Sequence, residues 1–249
     1  MIVEFIGSTG AGKTSLISKI HHKLAQTTVV TTPFDLIAAP LGLSSVTHPT
    51  AQNFIQELVG FPFFIGSLNR HGKFLAHTIN TFSNNTNFSI HRINNFRSLE
   101  RKIGMYEITQ RYDQGQIILV DEGPILAAHM FVFTGSLVTS SEIATFADLV
   151  PLPDLIVYIK APVDVLVRRA LQRPDPPREM GKKDPVLTER YVKDATAIFD
   201  QLMESERIRS RLLLVDNPDL NAEEHDRLAD DVTASILSHE KPANKMHKI

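Results

Sequence analysis

Gly7-Ser8-Thr9-Gly10-Ala11-Gly12-Lys13-Thr14 is the stretch that decides the fold of this 249-residue chain. It satisfies G-x-x-x-x-G-K-[ST], the pattern of the phosphate-binding P-loop. Its glycines allow tight turns and positive φ angles, so that backbone N–H groups can approach a polyphosphate closely. The pattern predicts that Lys13 reaches the β- and γ-phosphates and that the Thr14 hydroxyl binds Mg²⁺.

The sequence on either side of this stretch supplies the context that the motif requires. Residues 2–6 are mostly apolar and predict a short buried strand. Leu16, Ile20 and Leu24 recur at helical spacing and predict a helix whose positive N-terminal end faces the same anion. A glycine-rich turn with an incidental Lys-Thr pair is the alternative. The predicted nucleotide-binding residues of this region are Gly7, Ser8, Thr9, Gly10, Ala11, Gly12, Lys13, Thr14 and Ser15.

The composition narrows the class of protein. A hydrophobic fraction of 43% is ordinary for a globular domain that buries a core, and the length suits one α/β domain. The formal charge of -2 argues against general attraction to nucleic acid or to membrane surfaces. The absence of cysteine excludes disulfides and cysteine nucleophiles. Without a secretory signal or a long apolar run, we expect a cytoplasmic protein that neither binds a nucleic acid polymer nor enters a membrane.

Four further strands are predicted from β-branched or apolar runs, at residues 27–32, 116–120, 155–159 and 212–216. Between them lie segments with helical periodicity at residues 98–113, 161–172, 188–206 and 222–237. This alternation predicts an α/β protein with a five-stranded parallel sheet between two layers of helices.

Acidic residues follow two of the predicted strands, where the crevice of an open α/β sheet binds its ligands. Asp121 ends the apolar run at residues 116–120 and is the best candidate for the acid associated with Mg²⁺. For Glu122 three roles are open: it shares the role of Asp121, it holds a water molecule, or it binds the acceptor. Asp35, just past the second strand, is either a base that takes a proton from the attacking hydroxyl or the N-cap of a following helix.

The middle of the chain, residues 36–115, differs in composition and predicts a helical insertion that binds the acceptor. Six phenylalanines there either line an apolar pocket or, as we favour, pack the helical region: Phe54, Phe61, Phe63, Phe64, Phe74 and Phe82. Residues 81–95 are rich in Asn, Ser and Thr and predict a surface loop. Arg92, Arg97 and Arg101 belong to a solvated face or, alternatively, contact an acceptor phosphate.

Basic residues near the C-terminal third predict a second group of phosphate contacts. Arg168, Arg169 and Arg173 lead into a segment with three prolines, and arginines in a hinged loop can stabilise a transferring phosphoryl group. We expect Arg168 and Arg173 to be catalytic and Arg169 to bind the nucleotide. Asn217 follows the last strand and is expected beside the nucleotide base.

Four features in this order resemble the thymidylate kinase and deoxynucleoside kinase superfamily of P-loop small-molecule kinases. They are residues 7–14, the strand that ends at Asp121, the segment 158–164 followed by Arg168 and Arg169, and the segment 213–216. The resemblance implies ATP as donor, Mg²⁺, a lid at residues 168–185 and in-line transfer to a small-molecule acceptor. It implies one kinase-like domain over residues 1–240, followed by a flexible tail at residues 241–249.

The chain departs from that family at two positions. In the family an arginine usually follows the acid at the position of Asp121, whereas Glu122 follows it here, which favours a neutral or cationic hydroxylated acceptor. Deoxynucleoside kinases place a Glu base after the second strand, where this chain has Asp35.

Three P-loop functions compete with the kinase hypothesis. A regulatory GTPase is disfavoured because the guanine-reading N-K-x-D is absent, since Met246 and His247 follow Asn244-Lys245. The second competitor is a nucleotide-dependent ATPase without an acceptor, and the third is a sulfotransferase-like module. The apolar middle segment is a candidate homodimer interface.

Overall fold

One parallel sheet organises the computed structural model, which describes residues 1–83, 90–112, 115–134, 138–173 and 184–239. Its five strands lie in the order β2-β3-β1-β4-β5, and every neighbouring pair is parallel. Their bounds are Ile2–Ile6 (β1), Val30–Thr31 (β2), Ile117–Val120 (β3), Leu155–Lys160 (β4) and Leu212–Asp216 (β5). The predicted five-stranded parallel sheet is therefore confirmed.

Helices cover both faces of the sheet because its central strands are apolar on both sides. Val3 and Phe5 pack with Leu16 and Ile20 of the first helix. On the other face, Ile6 packs in the cluster that contains Ile103. Glu4 shares this second face, since side chains alternate along a strand. The result is the expected three-layer α/β architecture.

The described helices follow the chain in this order: Lys13–Leu24 (α1), Pro33–Ala38 (α2), Pro49–Ser83 (α3), Ile90–Arg111 (α4), a 3-10 helix at Ile125–Thr134, Ser140–Leu149 (α5), Val163–Gln172 (α6), Pro185–Leu202 (α7), Glu206–Arg209 (α8) and Ala222–His239 (α9). None of these helices combines the length and the apolar character that crossing a bilayer requires.

Several predicted boundaries are wrong. The second strand is only Val30–Thr31, because Thr27 and Thr28 instead hydrogen-bond to the Leu24 carbonyl and close the end of α1. The predicted loop at residues 81–95 is helical as far as Ser83 and again from Ile90. Residues 84–89 of that loop lie outside the described residues, as do residues 240–249 with the predicted tail.

The middle region is helical, as expected, and consists mainly of α3 packed along α4. Gly60 and Gly104 let the two helices approach closely, since a Cβ on Gly104 would collide with the Gly60 carbonyl. Three of the six phenylalanines are buried in the core, namely Phe64, Phe74 and Phe82. Phe54 and Phe61 are more than half exposed. Phe63 is partly buried and packs against a separate cluster that contains Met105 and Ile108. The packing alternative is therefore right for four of the six phenylalanines.

Candidate functional site

The P-loop connects β1 to α1 and adopts the backbone that its sequence predicts. Gly7, Gly10 and Gly12 all have positive φ, at 145°, 86° and 86°. A Cβ on Gly7 would lie 2.5 Å from the Ile159 carbonyl oxygen, and one on Gly12 would lie 2.5 Å from Asn217 Nδ2. A side chain at either position would be both strained and blocked, so the loop depends on glycine there.

Lys13 begins α1 and folds back over the loop. Its Nζ donates a hydrogen bond to the Gly7 carbonyl oxygen at 2.8 Å. Burial lowers the pKa of Lys13, while the charge of Asp121 raises it and that of Arg173 lowers it again. The buried Ser8 Oγ has no hydrogen-bond partner among the described residues. A lysine held over glycine-rich backbone and a hydroxyl without a partner fit a bound phosphate chain.

Thr14 and Asp121 meet at the carboxyl edge of the sheet. The Thr14 Oγ1 donates a hydrogen bond to Asp121 Oδ2 at 3.1 Å, although 107 residues separate the two. Within the described ranges, no group of three or more His, Cys, Asp or Glu side chains could hold a metal ion unaided. A hydroxyl and a carboxylate suit Mg²⁺, which takes its other oxygen ligands from water and substrate phosphates.

Asn217 supports the P-loop through hydrogen bonds of its side chain and its backbone. Its buried Nδ2 donates to the Ala11 carbonyl oxygen at 2.8 Å, and its backbone N–H donates to the Lys160 carbonyl at 2.7 Å. Arg169 in turn donates to the carbonyl oxygens of Asn217 and Pro218, at 3.1 and 2.6 Å. These two residues, predicted to bind the nucleotide, thus support the loop that would hold it.

We expect Asn217→Ala to weaken the binding of a non-hydrolysable ATP analogue by about tenfold, because the Ala11 carbonyl loses its buried donor and the loop loses its support. Calorimetric titration measures this change. Asn221→Ala is the matched control, since Asn221 forms a reciprocal cap with Glu224 at the start of α9. The control should lose stability and keep its nucleotide affinity. Equal affinity in Asn217→Ala and the wild type would contradict the assigned role.

Glu122 is held by two cations of α4. Arg101 donates to Glu122 Oε2 at 2.6 Å, and the Lys102 Nζ lies 3.4 Å from the same oxygen. The charge of Lys102, followed by that of Arg101, lowers the pKa of Glu122 to about 2 although burial opposes the shift. Such a carboxylate is a weak proton acceptor, so the geometry favours a positioning role for Glu122 over the role of base. The solvated-face interpretation of Arg101 is wrong.

Asp35 belongs to the start of α2. Thr32 is the N-cap, and its Oγ1 accepts a hydrogen bond from the Asp35 N–H at 3.2 Å and donates one to Asp35 Oδ2 at 2.7 Å. The prediction that a helix starts here is therefore right, but its N-cap residue is Thr32 and not Asp35. The role of Asp35 as base stays a prediction.

The predicted lid is only partly described, since residues 174–183 lie outside the described ranges. Arg168 forms an exposed ion pair with Asp219 at 2.7 Å. Arg173 ends α6, and its charge acts on Lys13. The catalytic roles of Arg168 and Arg173 stay predictions.

A cavity of 370 Å³ opens beside Asp121, between the sheet and helices α2, α3 and α4. Phe34, Met105 and Tyr106 give it apolar and aromatic walls, and Gln52 and Gln56 add amide groups. Its volume is at the lower end of the range of about 300–1,000 Å³ for small-ligand pockets. None of the six phenylalanines lies in its wall, which agrees with packing, the favoured interpretation, and not with the alternative of a pocket lining.

Two charged residues of this cavity were missed by sequence reasoning. Lys102 lines the cavity although its side chain is only 5% exposed, and no local pattern distinguishes it from other lysines of an amphipathic helix. Glu4 also lines the cavity and is 1% exposed. The signal for Glu4 was available, because a charged residue stands alone in the apolar run of residues 2–6.

Comparison with solved structures bears on the fold. The structure of deoxyadenosine kinase from M. mycoides, with products dCMP and a flexible dCDP bound, aligns with a TM-score of 0.53 and 13% sequence identity. The alignment covers 94% of this chain and 100% of that chain. This likeness shows that the chain has the three-layer fold of the P-loop small-molecule kinases.

A second alignment is weaker. Shikimate kinase from Acinetobacter baumannii in complex with shikimate gives a TM-score of 0.43 and 16% identity, over 98% of this chain and 94% of that chain. No protein-family model matches the sequence, and no curated protein sequence matches it significantly.

Proposed function

From a P-loop kinase fold with an acid beside its phosphate loop, we propose an ATP- and Mg²⁺-dependent phosphotransferase. It moves the γ-phosphoryl group to a hydroxyl or phosphate of a small molecule, as nucleoside and nucleotide kinases do. The observation that carries the proposal is the Thr14–Asp121 contact, which lies where the P-loop meets the cavity beside Asp121. A donor site and an acceptor site are thereby adjacent, which in-line transfer requires.

Different residues of the chain bind the phosphates, hold the metal ion and supply positive charge during the transfer. Lys13 and the loop amides bind the phosphates, and Thr14 with Asp121 would hold Mg²⁺, which neutralises charge on the phosphate oxygens when bound. Arg173 adds positive charge on the Lys13 side. Because the transition state is loose, placement and charge contribute more than a strong base. The structural likeness to deoxyadenosine kinase supports a nucleoside as the first acceptor to test.

An acceptor screen tests the proposal. ATP consumption is measured with nucleosides, nucleotides, sugars and alcohol-bearing antibiotics, and the phosphorylated product is identified by mass. We expect one acceptor class to accelerate ADP formation well above the rate without acceptor, with one phosphorylated product per ADP. ATP hydrolysis at the same rate with every acceptor and without any would contradict a kinase and favour an ATPase.

We also propose that the chain forms a homodimer through an exposed stripe of α3, defined by Phe54, Leu58, Phe61, Ile65 and Leu68. These side chains are 40–66% exposed. Their alternating spacing of four and three residues is the period of a helix-pairing seam, and the stripe is about 21 Å long. We favour a second copy of the chain as the partner of this stripe. Segment 49–69 contains one charged residue, Glu57, and it is already paired with Arg97. Little charge therefore opposes self-association.

Replacing Ile65 by Glu should therefore convert a dimer into a monomer. Light scattering after size exclusion should give twice the chain mass of 27.8 kDa for the wild type and the single mass for Ile65→Glu. Val186→Glu is the matched control, because Val186 is 75% exposed on α7 and outside the stripe. A monomeric wild type, or dimers of both variants, would contradict this interface.

A further inference from the structure

Glu4 is an unusual residue for the central strand of a sheet. β1 pairs with both β3 and β4, and its other side chains are apolar. A carboxyl group at such a position is costly to bury unless hydrogen bonds compensate for the lost water. Glu4 is nonetheless 1% exposed.

The surroundings satisfy only one of its two oxygens. Glu4 Oε1 accepts a hydrogen bond from the Leu126 N–H at 3.1 Å, at the start of the 3-10 helix. Glu4 Oε2 is buried and has no hydrogen-bond partner among the described residues. Burial raises the pKa of Glu4 to about 8, and the Leu126 N–H, the charge of Lys102 and the Ile125 N–H offset only part of this shift.

The loop after Asp121 is shaped around this carboxyl group. Gly123 lies against it so closely that a Cβ at this position would collide with the Glu4 carboxyl carbon and both of its oxygens. Gly123 and Glu4 both line the cavity beside Asp121. Glu4 pairs with Val120 in the sheet register, so it lies one residue below the level of Asp121.

The walls of the cavity indicate what kind of molecule would meet Glu4. Phe34 and Tyr106 provide aromatic surface, and Gln52 and Gln56 provide amide groups. This combination suits a flat heterocycle that is polar at its edge, because aromatic side chains stack on such rings and amides bond to their edges. An ionised carboxylate oxygen in the same cavity selects a hydrogen-bond donor at that edge, whereas a protonated carboxyl oxygen would itself donate.

Building on the proposed function, we propose that Glu4 is a specificity residue of the acceptor cavity, whose Oε2, as an ionised carboxylate, accepts a hydrogen bond from an amino group on a heterocyclic acceptor. The acceptor of this class carries its reacting hydroxyl towards Asp121 and its amino-bearing ring deeper in the cavity. A ring with a carbonyl in place of the amino group would bring two accepting oxygens together and leave both without a donor.

Matched pairs of nucleosides test this assignment by direct binding, without ATP. The pairs are 2′-deoxycytidine with 2′-deoxyuridine, and 2′-deoxyadenosine with 2′-deoxyinosine, which differ by an amino group replaced with a carbonyl. Calorimetry at pH 9, above the pKa of about 8 that burial gives Glu4, should show that the wild-type protein binds the amino-bearing member of at least one pair about tenfold or more tightly.

Glu4→Gln is the informative variant because it is isosteric. Its amide oxygen can still accept from the Leu126 N–H, while an amide nitrogen that donates replaces Oε2. The preference for the amino-bearing member should disappear or reverse in this variant. Gly123→Ala is a second variant, in which the added methyl group displaces the Glu4 carboxyl, and it should reduce the same preference.

The outcomes separate this proposal from that of phosphotransfer. An unchanged preference in Glu4→Gln, equal wild-type affinity for both members of each pair, or no binding of any of the four would overturn the role of Glu4. Phosphoryl transfer to some other acceptor would leave the proposed function standing in those cases. Amino-selective binding that depends on Glu4, without any transfer from ATP, would support Glu4 and contradict the kinase.

Discussion

Lys13→Ala should lower the rate of phosphoryl transfer by about 10²–10³-fold, because it removes a charge-stabilising donor from the transition state. The side chain is well placed for this role, since its Nζ lies 2.8 Å from the Gly7 carbonyl oxygen and above the loop amides. Turnover at saturating ATP, with the acceptor identified by the screen, measures the effect.

Lys19→Ala is the matched control for this prediction. Lys19 lies on the same helix and forms a surface ion pair with Asp226. Such exposed pairs contribute little, so the control should keep both its fold and its turnover. Circular dichroism should show that Lys13→Ala also remains folded. Turnover like that of the wild type in Lys13→Ala would refute the assignment of the loop.

Asp121→Asn should raise the Mg²⁺ concentration needed for half-maximal activity by about 10–100-fold. Replacing a residue at or beside the ligands of a metal ion usually lowers metal affinity by this factor. The asparagine oxygen can still accept the hydrogen bond that Thr14 donates to Asp121 at 3.1 Å. The substitution therefore removes the negative charge and preserves much of the geometry. Activity as a function of Mg²⁺ concentration measures the change.

Asp226→Asn serves as the control, because Asp226 is exposed and pairs only with the surface residue Lys19 among its described ion pairs. Its Mg²⁺ dependence should match that of the wild type. If Asp121→Asn lowers activity by the same factor at every Mg²⁺ concentration, then Asp121 acts on the acceptor and not on the metal.

The sequence predicted the donor side of the site much better than the acceptor side. Residues 7–14 form a local motif whose function depends on backbone geometry, and Asp121 follows an apolar strand that can only be central. Both features are readable without knowledge of distant contacts. The structure accordingly places Thr14 and Asp121 in contact.

Long-range packing decides the acceptor side, and no local pattern reports it. Arg101 and Lys102 reach Glu122 because α4 packs on the face of the sheet that carries Ile6. The sequence showed Glu122 without a neighbouring arginine and so favoured a neutral or cationic acceptor. The ion pairs show that cations are supplied from a different element, which removes the basis for excluding an anionic group on the acceptor.

Residue types with several roles account for the remaining errors. Asn, Ser and Thr favour loops and helix ends alike, so residues 81–95 predicted a loop where α3 and α4 extend on either side. The run of β-branched residues at 27–32 predicted six strand residues, but pairing with β3 extends over only two of them. Tertiary contacts override propensity at such boundaries.

The central claim is that the P-loop binds a triphosphate with Mg²⁺ beside Asp121, and titration with a non-hydrolysable ATP analogue tests it most directly. Calorimetry with and without Mg²⁺ should show one site per chain, tighter binding when Mg²⁺ is present, and a smaller effect of the same Mg²⁺ concentration in Asp121→Asn. No binding by the wild-type protein, or binding that neither Mg²⁺ nor Lys13→Ala alters, would contradict the account.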